Sequence, residues 1–264
     1  LVRKYSMKVI ILAGGWGSRL GQLSNSIPKP MVAIGNKPIL WHIMKSYSSY
    51  GYNNFIIALG VKQHLIKEYF YNYESINNDF TIDLSSSEIS YHNKENELEW
   101  CITLVDTGLN TLKGGRIKRL EKYLTDELNM ITYGDGVSDI NISELVKFHK
   151  SHGKTITITG VHPPARFGEI VEDQGRVLSF TEKPQTSVGL INGGYMVFNR
   201  NLLEFLTEDE ECDFEFNALE KLALQGEVMV YKHAGSWECM DHERDVQHLN
   251  ELWNSNKAFW KSWE

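Results

Sequence analysis

The sequence predicts an α/β fold in which a mostly parallel sheet is flanked by helices. Short apolar runs alternate with amphipathic stretches through the first two-thirds of the 264 residues. Helices supply the crossovers that parallel strands need, so this alternation favours a sheet covered on both faces. A glycine-rich loop directly follows the first apolar run, in the place where such sheets bind ligands. A hydrophobic content of 42% is ordinary for a soluble globular protein.

The predicted elements follow in order along the chain. We expect strands at Val9–Leu12, Phe55–Leu59, Ile102–Val105, Met130–Tyr133 and Thr155–Val161. We expect helices at Pro38–Tyr50, Gln63–Tyr71, Arg116–Leu124 and Ile142–His152. Ligands bind beyond the carboxyl ends of parallel strands, and both the glycine loop and Asp135 fall at such ends.

The pattern becomes irregular after Pro163-Pro164 and predicts a smaller, β-rich portion. We expect short strands at Glu169–Glu172, Val177–Thr181, Tyr195–Phe198 and Val228–Lys232, and helices at Phe214–Leu224 and about Glu243 to Trp253. The three aromatic residues of the tail, 257–264, either pack on the protein's own core or form a subunit contact. No linker is visible, so residues 7–264 are predicted to form one domain. Residues 1–6 are interpreted as an extension or an artificial remnant.

Charge and composition exclude several classes of protein. The net charge of −7 argues against nonspecific nucleic-acid binding, which needs a broad positive surface. No apolar run approaches the ~18 residues of a membrane span, and the first six residues lack the apolar core of a signal peptide. Three isolated cysteines make a zinc site or a disulfide framework unexpected. We therefore expect a cytoplasmic protein that binds neither nucleic acid nor membrane.

The loop from Ala13 to Arg19, Ala-Gly-Gly-Trp-Gly-Ser-Arg, indicates phosphate binding. Glycine has no Cβ and lets backbone N–H groups approach a phosphate closely. Arg19 and Lys29 would add positive charge for a triphosphate. Lys29 stands between two prolines, whose fixed φ angles stiffen the backbone around it.

Two better-known glycine loops are excluded. The dinucleotide motif would begin at Gly15, but Leu20 occupies its sixth position, and the acidic residue after the second strand is missing. A P-loop would end at Gly153-Lys154-Thr155, but Phe148 stands where its first glycine belongs. An NAD-dependent dehydrogenase is therefore not favoured.

Asp135 stands between two glycines directly after a predicted strand. The glycines leave room for a phosphate-bound metal, and Mg²⁺ prefers a few carboxylates together with phosphates and water. An aspartate between glycines is also typical of turns. The preceding strand and a second aspartate, Asp241, favour the metal interpretation.

From Met7 onward the sequence resembles the sugar-1-phosphate nucleotidyltransferases, also called nucleoside diphosphate sugar pyrophosphorylases. The loop Leu12–Leu20, followed by Pro28-Lys29-Pro30, matches the signature of that family. Further motifs, in the order of the family's cytidylyltransferase branch, are Pro38–Lys45, Thr107-Gly108, Gly114–Arg119, Tyr133–Gly136, Arg166–Gly168, Glu182–Pro184, Ile191–Gly194 and Met240-Asp241. The resemblance implies a Rossmann-like, glycosyltransferase-A-like fold. Its nucleotide-binding part would span about 7–160 and its sugar-binding and C-terminal part about 161–264.

The resemblance also implies roles for individual residues. The residues implied to bind the nucleotide are Leu12, Ala13, Gly14, Gly15, Trp16, Gly17, Ser18, Arg19, Lys29, Thr107, Asn110, Gly114, Gly115 and Gly134. Those implied to bind the sugar phosphate are Gly168, Glu182, Lys183, Asn192 and Gly193. Asp135 and Asp241 would hold one Mg²⁺ together, and Arg19 and Lys29 would stabilise phosphate charge during catalysis. Arg116 belongs either to the nucleotide loop or, like Lys118 and Arg119, to an ordinary helix face.

The implied reaction is attack by a sugar-phosphate oxygen on the α-phosphorus of a nucleotide, with pyrophosphate leaving in line. The cytidylyltransferase branch implies CTP and α-D-glucose 1-phosphate as substrates. Its product, CDP-glucose, would feed deoxysugar synthesis for surface polysaccharide such as O-antigen. The alternative within the family is another sugar 1-phosphate, or dTTP or UTP in place of CTP. A homo-oligomer is expected on general grounds.

Three positions depart from the family pattern. His242 replaces a threonine after the metal-binding aspartate, and Ile27 replaces a lysine before Pro-Lys-Pro. Residues 215–219 read Glu-Phe-Asn-Ala-Leu, where the family has Glu-x-x-Pro-Leu. The first and third bear on the identity of the sugar. An inactive regulatory subunit is an alternative of a different class, but it would be expected to lose a catalytic lysine or a metal ligand, and all are present.

Overall fold

The computed structural model describes residues 7–21, 23–92, 99–125, 127–163, 169–174, 176–181 and 189–263. Its strands are β1 Val9–Leu12, β2 Ala33–Ile34, β3 Lys37–Pro38, β4 Asn54–Leu59, β5 Phe80–Asp83, β6 Glu88–Tyr91, β7 Cys101–Asp106, β8 Leu128–Tyr133, β9 Gly136–Ser138, β10 Ile156–Val161, β11 Glu169–Asp173, β12 Arg176–Thr181, β13 Ile191–Asn199, β14 Val228–His233 and β15 Trp237–Cys239. Its α-helices are α1 Leu23–Ser26, α2 Ile39–Ser49, α3 Gln63–Tyr71, α4 Tyr73–Asn77, α5 Lys113–Arg119, α6 Ile142–His152, α7 Glu220–Leu224 and α8 Glu243–Asn254. Tight 3-10 turns lie at Ser18–Leu20, Lys29–Met31, Glu121–Tyr123 and Arg200–Phe205, and a π-helical turn lies at Glu215–Leu219.

Seven strands form the central sheet, in the order β14-β10-β13-β8-β1-β4-β7. β1 pairs in parallel with β4 and β8, β4 pairs in parallel with β7, and β10 pairs in parallel with β14. β13 runs antiparallel to both of its neighbours, β8 and β10. The sheet is therefore mostly parallel, which confirms the predicted fold class.

Alternate residues of the central strands face two separate apolar layers. Val9 and Ile11 of β1 pack on the side that holds α2, α6 and α8, while Ile10 packs on the side of α5 and α7. Successive side chains of a strand point to opposite faces, so a strand covered by helices on both sides is apolar throughout. Val9, Ile10 and Ile11 are buried for this reason, and Leu12 is partly buried.

Two predicted helices differ from the structure. The helix predicted at Arg116–Leu124 begins earlier, at Lys113, and ends at Arg119, before a 3-10 turn. Two glycines in its first turn have low helix propensity, so the sequence pattern placed the start too late. The helix predicted at Phe214–Leu224 is π-helical over Glu215–Leu219 and α-helical only in α7.

The aromatic tail packs on the protein's own core. Trp260 is 1% exposed, and Phe259 and Trp263 are partly buried against the same apolar layer. The Trp260 ring lies edge-on to His42 of α2, with 6.2 Å between ring centroids. The core interpretation of the tail is therefore confirmed. Among the described residues, no helix is long and apolar enough to cross a bilayer.

Candidate active site

The glycine loop begins where β1 ends, at one edge of the central sheet. The Ala13 N–H donates to a carbonyl of β4 at 3.0 Å, and the Gly134 N–H donates to the Leu12 carbonyl at 3.1 Å. Gly17 has φ of 64°, a left-handed conformation that favours glycine, and leads into the 3-10 turn. These bonds hold the loop beside the turn that carries Asp135.

Exposure divides the residues of the glycine loop. Gly15, Trp16, Ser18 and Arg19 are exposed, whereas Gly14 is buried. A Cβ built on Gly15 would meet no other atom within 4 Å, so packing within the protein does not require glycine there. The exposed residues are the part of the loop that is accessible to a molecule from solution.

Lys29 lies between two carboxylates. Its Nζ is 2.7 Å from Asp135 Oδ2 and 2.6 Å from Asp241 Oδ1, and its side chain is only 12% exposed. Burial lowers the pKa of Lys29, but the charge of Asp135 and hydrogen bonds to both aspartates outweigh it and raise the pKa above its ordinary value. Lys29 therefore stays charged.

Arg19 stands at the rim of the same cluster, with NH1 3.2 Å from Asp241 Oδ2 and 71% of its side chain exposed. Burial raises the pKa of Asp241, but the hydrogen bond and charge of Lys29, together with Arg19, lower it below the ordinary value. Arg19, Lys29, Asp135 and Asp241, which the sequence predicted to act together, are thus in contact.

A two-stranded sheet of β9 and β15 brings the two aspartates together. Cys239 pairs with Gly136, and the Met240 N–H donates to the Asp135 carbonyl at 2.9 Å. Asp241 directly follows, so its carboxylate comes to lie beside that of Asp135. This long-range pairing creates the site.

The first turn of α8 fixes the backbone at Asp241. The Asp245 carboxylate accepts from the N–H groups of Asp241, at 2.9 Å, and His242, at 2.7 Å. An acidic side chain in the first turn satisfies donors that have no partner within the helix. His242 therefore occupies the capping position at the start of α8. Sequence reasoning missed Asp245, although its place three residues after His242 is a helix-start signal.

The cluster fits a divalent cation. Ligand atoms of Asp135, Cys239 and Asp241 all lie within 4.8 Å of one another. Mg²⁺ takes oxygen ligands and is usually held by one or two carboxylates with phosphates and water. The two aspartates suit this ion, whereas the Cys239 thiol is a soft ligand and does not. Burial and the charge of Asp135 raise the pKa of that thiol, so it remains protonated.

Arg116 is buried and joins the glycine loop to the loop after β7. It is 4% exposed and donates to the carbonyls of Leu59, Gly14, Gly108 and Leu109. It also donates to the buried Thr107 hydroxyl. The interpretation as an ordinary helix-face cation is therefore wrong for Arg116, because polar backbone groups rather than solvent surround it.

The neighbouring cations of α5 also have backbone partners. Arg119 donates to the carbonyls of Glu208 and Thr107, at 2.6–2.9 Å. Lys118 donates to the Leu203 carbonyl at 3.0 Å. Both side chains therefore tie α5 to surrounding loops, which the amphipathic pattern did not reveal. Asn110, in the loop that Arg116 and Arg119 support, is exposed.

Gly114 and Gly115 are buried where α5 meets the segment 209–213. A Cβ on Gly114 would lie 2.7 Å from the Cys212 carbonyl oxygen, and one on Gly115 would lie 2.4 Å from the Asp209 carbonyl oxygen. The Gly115 N–H already donates to the Cys212 carbonyl at 3.0 Å. Close packing thus requires both glycines, and their part in nucleotide binding stays a prediction.

On the sugar side, the structure describes Asn192 and Gly193 of β13. Asn192 Oδ1 accepts from the Gly194 N–H at 2.9 Å, and the Gly193 carbonyl accepts from Trp237 Nε1 at 2.8 Å. The other predicted sugar-phosphate ligands, Gly168, Glu182 and Lys183, lie outside the described residues.

A second polar cluster, missed from the sequence, adjoins Asn192. Tyr133 Oη donates to Glu215 Oε1 at 2.8 Å, and Asn192 Nδ2 donates to Tyr133 Oη at 3.2 Å. The Lys113 ammonium contacts the same carboxylate oxygen and lies 5.5 Å from the centre of the Tyr133 ring. The signal in the sequence was Glu215, which belongs to a family motif but received no role.

With this geometry described, comparison with known proteins identifies the family. The profile of the nucleotidyl transferase family matches residues 8–261. The chain belongs to the nucleotidyl transferase family. The resemblance stated from the sequence is therefore confirmed.

Members of this family with similar sequences carry a specific name. The chain is 46% identical over 259 residues to "Glucose-1-phosphate cytidylyltransferase" of Salmonella typhi, covering 98% of this chain and 100% of the relative. It is 41% identical over 257 residues to "Probable glucose-1-phosphate cytidylyltransferase" of Bacillus subtilis, covering 97% and 100%. A solved UDP-glucose pyrophosphorylase in complex with UDP-glucose matches with a TM-score of 0.67 at 16% identity, over 96% of this chain and 100% of that one. At this identity the structural likeness shows the fold alone.

The arrangement suits the chemistry of a nucleotidyltransferase. Lys29 and Arg19 place cations beside two carboxylates at the end of the glycine loop. Phosphoryl transfer depends on positioning and charge stabilisation rather than on a covalent protein intermediate. The cluster offers these two contributions, and nothing in it requires a nucleophilic side chain.

Proposed function

We propose that this nucleotidyltransferase forms CDP-glucose and pyrophosphate from CTP and α-D-glucose 1-phosphate. The observation that carries the proposal is the 46% identity to glucose-1-phosphate cytidylyltransferase across nearly the full length of both chains. The cluster of Lys29, Asp135 and Asp241 supports it, because the groups that the reaction needs are in contact. The same cluster argues against an inactive regulatory subunit.

In the proposed mechanism, the exposed residues of the glycine loop bind the triphosphate through backbone N–H groups. Asp135 and Asp241 would hold Mg²⁺, which supplies charge neutralisation for the phosphates. Lys29 stabilises the negative charge that develops on the α-phosphate as the sugar phosphate attacks. Lys29 lies between two buried prolines, which restrict its backbone. Its ammonium group is therefore already in position, and little side-chain reorganisation is needed during the reaction. Arg19 contacts the outer phosphates.

On the sugar side, Asn192 and the backbone at Gly193 are proposed to border the sugar phosphate. Glu182, Lys183 and Gly168 complete the predicted pocket. Glu182 would accept hydrogen bonds from sugar hydroxyls, and Lys183 would meet the phosphate. These assignments rest on the family resemblance, and for Asn192 they are supported by its polar surroundings.

The first experiment measures pyrophosphate release with Mg²⁺ and glucose 1-phosphate, offering CTP, UTP, dTTP, ATP and GTP in turn. Release with CTP alone is the expected result. Release with another nucleotide would overturn the base assignment and keep the mechanism. If none of the five nucleotides gives pyrophosphate release, other sugar 1-phosphates are tested in the same assay. Activity with one of them would overturn the assignment of glucose 1-phosphate as the substrate. Omission of Mg²⁺, with Mn²⁺ and Ca²⁺ as replacements, tests the ion.

Four further statements about the protein are proposals. We propose a cytoplasmic location, supported by three free cysteines, of which Cys101 is exposed. CDP-glucose would serve the synthesis of surface polysaccharide. A homo-oligomer, and a single domain over residues 7–264, also stay predictions. The tail gives the oligomer no support, since Trp260 is covered by its own chain. Size-exclusion chromatography with light scattering measures the molar mass in solution and so tests the oligomeric state.

A further inference from the structure

Three side chains link the π-helical turn to the predicted sugar-binding strand. Glu215, in the π-helical turn, accepts from the Tyr133 hydroxyl at 2.8 Å, and Tyr133 accepts from the Asn192 amide at 3.2 Å. They come from three separate elements: the π-helical turn, β8 and β13. We call this chain of contacts the Glu215 relay.

The direction of each proton in the relay follows from its partners. The Gly194 N–H can only donate, so the Asn192 atom that it contacts at 2.9 Å must be the oxygen. Asn192 therefore turns its NH₂ group toward Tyr133. A phenol has one proton, and the Glu215 carboxylate can only accept, so that proton points to Glu215 and leaves the Tyr133 oxygen as an acceptor. Among the hydrogen bonds of the described residues, this pattern leaves Asn192 one further N–H to offer.

Packing holds each member of the relay in place. Lys113 contacts the same Glu215 oxygen that accepts from Tyr133 and so holds the carboxylate from its other side. The Asp213 carboxylate accepts from the Glu215 N–H at 2.9 Å and the Phe216 N–H at 3.0 Å, and so fixes the start of the π-helical turn. Gly194 has φ of 82°, and a Cβ there would lie 2.6 Å from the Tyr133 ring, so the ring fits only against glycine.

The π-helical turn that carries Glu215 is an independent indication that the relay is functional. Single π-helical turns are rare and occur frequently at functional sites, because they shift a side chain out of the α-helical register. Here the turn spans Glu215–Leu219. It lies where the sequence departs from the family's Glu-x-x-Pro-Leu pattern, with Ala218 at the proline position.

We propose that Glu215 and Tyr133 are positioning residues that orient Asn192, so that its free N–H faces an acceptor oxygen of the sugar 1-phosphate. This inference rests on the proposed function, in which Asn192 borders that substrate. The relay lies on the sugar side of the cluster, and its two side-chain hydrogen bonds join Tyr133 to Glu215 and Asn192 rather than to the exposed residues of the glycine loop. Loss of the relay should therefore weaken binding of the sugar 1-phosphate and spare binding of the nucleotide.

The test compares steady-state constants of the wild type, Tyr133→Phe, Glu215→Gln and the double variant. Tyr133→Phe removes both hydrogen bonds of the Tyr133 hydroxyl, whereas Glu215→Gln removes the negative charge of the group that accepts from it. Both changes keep the side-chain shape. We expect KM for the sugar 1-phosphate to rise about 10-fold and KM for the nucleotide to stay within about 2-fold. The double variant should be no worse than the poorer single variant, because both act through Asn192.

The matched control is Glu220→Gln, five residues along the same helical segment, at an exposed position. Its constants should equal those of the wild type. Melting temperatures identify a variant that fails to fold, and Glu215→Gln then carries the test if Tyr133→Phe unfolds. A crystal structure of Glu215→Gln supplies a second readout, in which Asn192 should have turned.

The outcomes separate this inference from the function on which it rests. A wild type that turns over no sugar 1-phosphate overturns the proposed function and the inference with it. A wild type that prefers a sugar other than glucose overturns glucose alone, and the variants are then assayed with that sugar. An active wild type whose variants keep their sugar KM, or whose effects are strictly additive, overturns the relay.

Discussion

At the scale of single residues, the site depends on charges that are paired rather than solvated. The Lys29 ammonium contacts both aspartates, and this pairing offsets the cost of holding the groups in partly buried positions. Such a cluster suits the proposed binding of phosphates and a divalent cation, since its side chains are already held in place. Its residues could each be named from the sequence, because motifs mark them.

Replacing either aspartate should abolish turnover without unfolding the protein. Asp135→Asn or Asp241→Asn removes one negative ligand of the proposed cation, while Lys29 keeps its other carboxylate. We expect pyrophosphate release to fall by at least about 100-fold, a typical loss for an electrostatic group at a reaction centre. Asp139→Asn is the control, because Asp139 pairs with His233 and lies outside the cluster. Full Mg²⁺-dependent activity in both variants would refute the metal assignment.

His42 should make the stability of the fold depend on pH. Burial lowers its pKa from 6.5 to about 4. The unfolded chain therefore takes up a proton below about pH 6.5, whereas the folded chain does so only near pH 4. The free energy of unfolding should fall as pH decreases through this window, by about 1.4 kcal/mol per pH unit.

Urea unfolding at pH 7 and pH 5 measures the His42 effect. Between pH 6.5 and pH 5 the protonation of His42 should lower the free energy of unfolding by about 2 kcal/mol. His42→Gln should remove this contribution to the difference between the two pH values. The exposed His64→Gln is the control and should leave the pH dependence unchanged. An unchanged dependence in His42→Gln would show that His42 is protonated alike in both states.

At the scale of elements, α5 shows how packing overrides propensity. Glycines weaken a helix by about 1 kcal/mol each relative to alanine, yet α5 carries two in its first turn. They let the helix approach the segment 209–213, and the buried Arg116 then reaches the loops at the site. The helix is thus placed by its contacts and not by its own preference.

Gly115→Ala should destabilise the protein although alanine favours helices. The added Cβ would lie 2.4 Å from the Asp209 carbonyl oxygen, which is backbone and cannot move freely. We expect a loss of about 1–3 kcal/mol in the free energy of unfolding, the usual cost of overpacking. Gly15→Ala is the matched control, since no atom lies within 4 Å of its Cβ, and its stability should be unchanged. Equal stability of both variants would contradict the packing interpretation.

At the scale of the whole molecule, distant segments of the chain complete both the core and the site. The tail residue Trp260 fills the layer against α2, with its indole N–H 3.4 Å from His42 Nδ1. The pairing of β9 with β15 brings Asp241 to Asp135 in a similar way. The C-terminal quarter therefore contributes to folding and to the site together.

Trp260→Ala should cost about 3–5 kcal/mol of unfolding free energy, because it empties a fully enclosed space. Chemical denaturation provides the measurement. Trp16→Ala, at a position 59% exposed, should change stability by no more than about 0.5 kcal/mol. A small effect at Trp260 would mean that the tail is not part of the cooperative core.

The sequence alone determined the fold class, most of the strands, the glycine loop and the residues of the charged cluster. Hydrophobic periodicity and short motifs are local signals, and they carry this information directly. Only the tertiary structure decided that Arg116 is a buried link, that Gly114 and Gly115 serve packing, and that Glu215, Tyr133 and Asn192 form a relay. Each of these depends on which distant segment comes to lie against the residue. That information resides in long-range pairing, which no local pattern of the chain encodes.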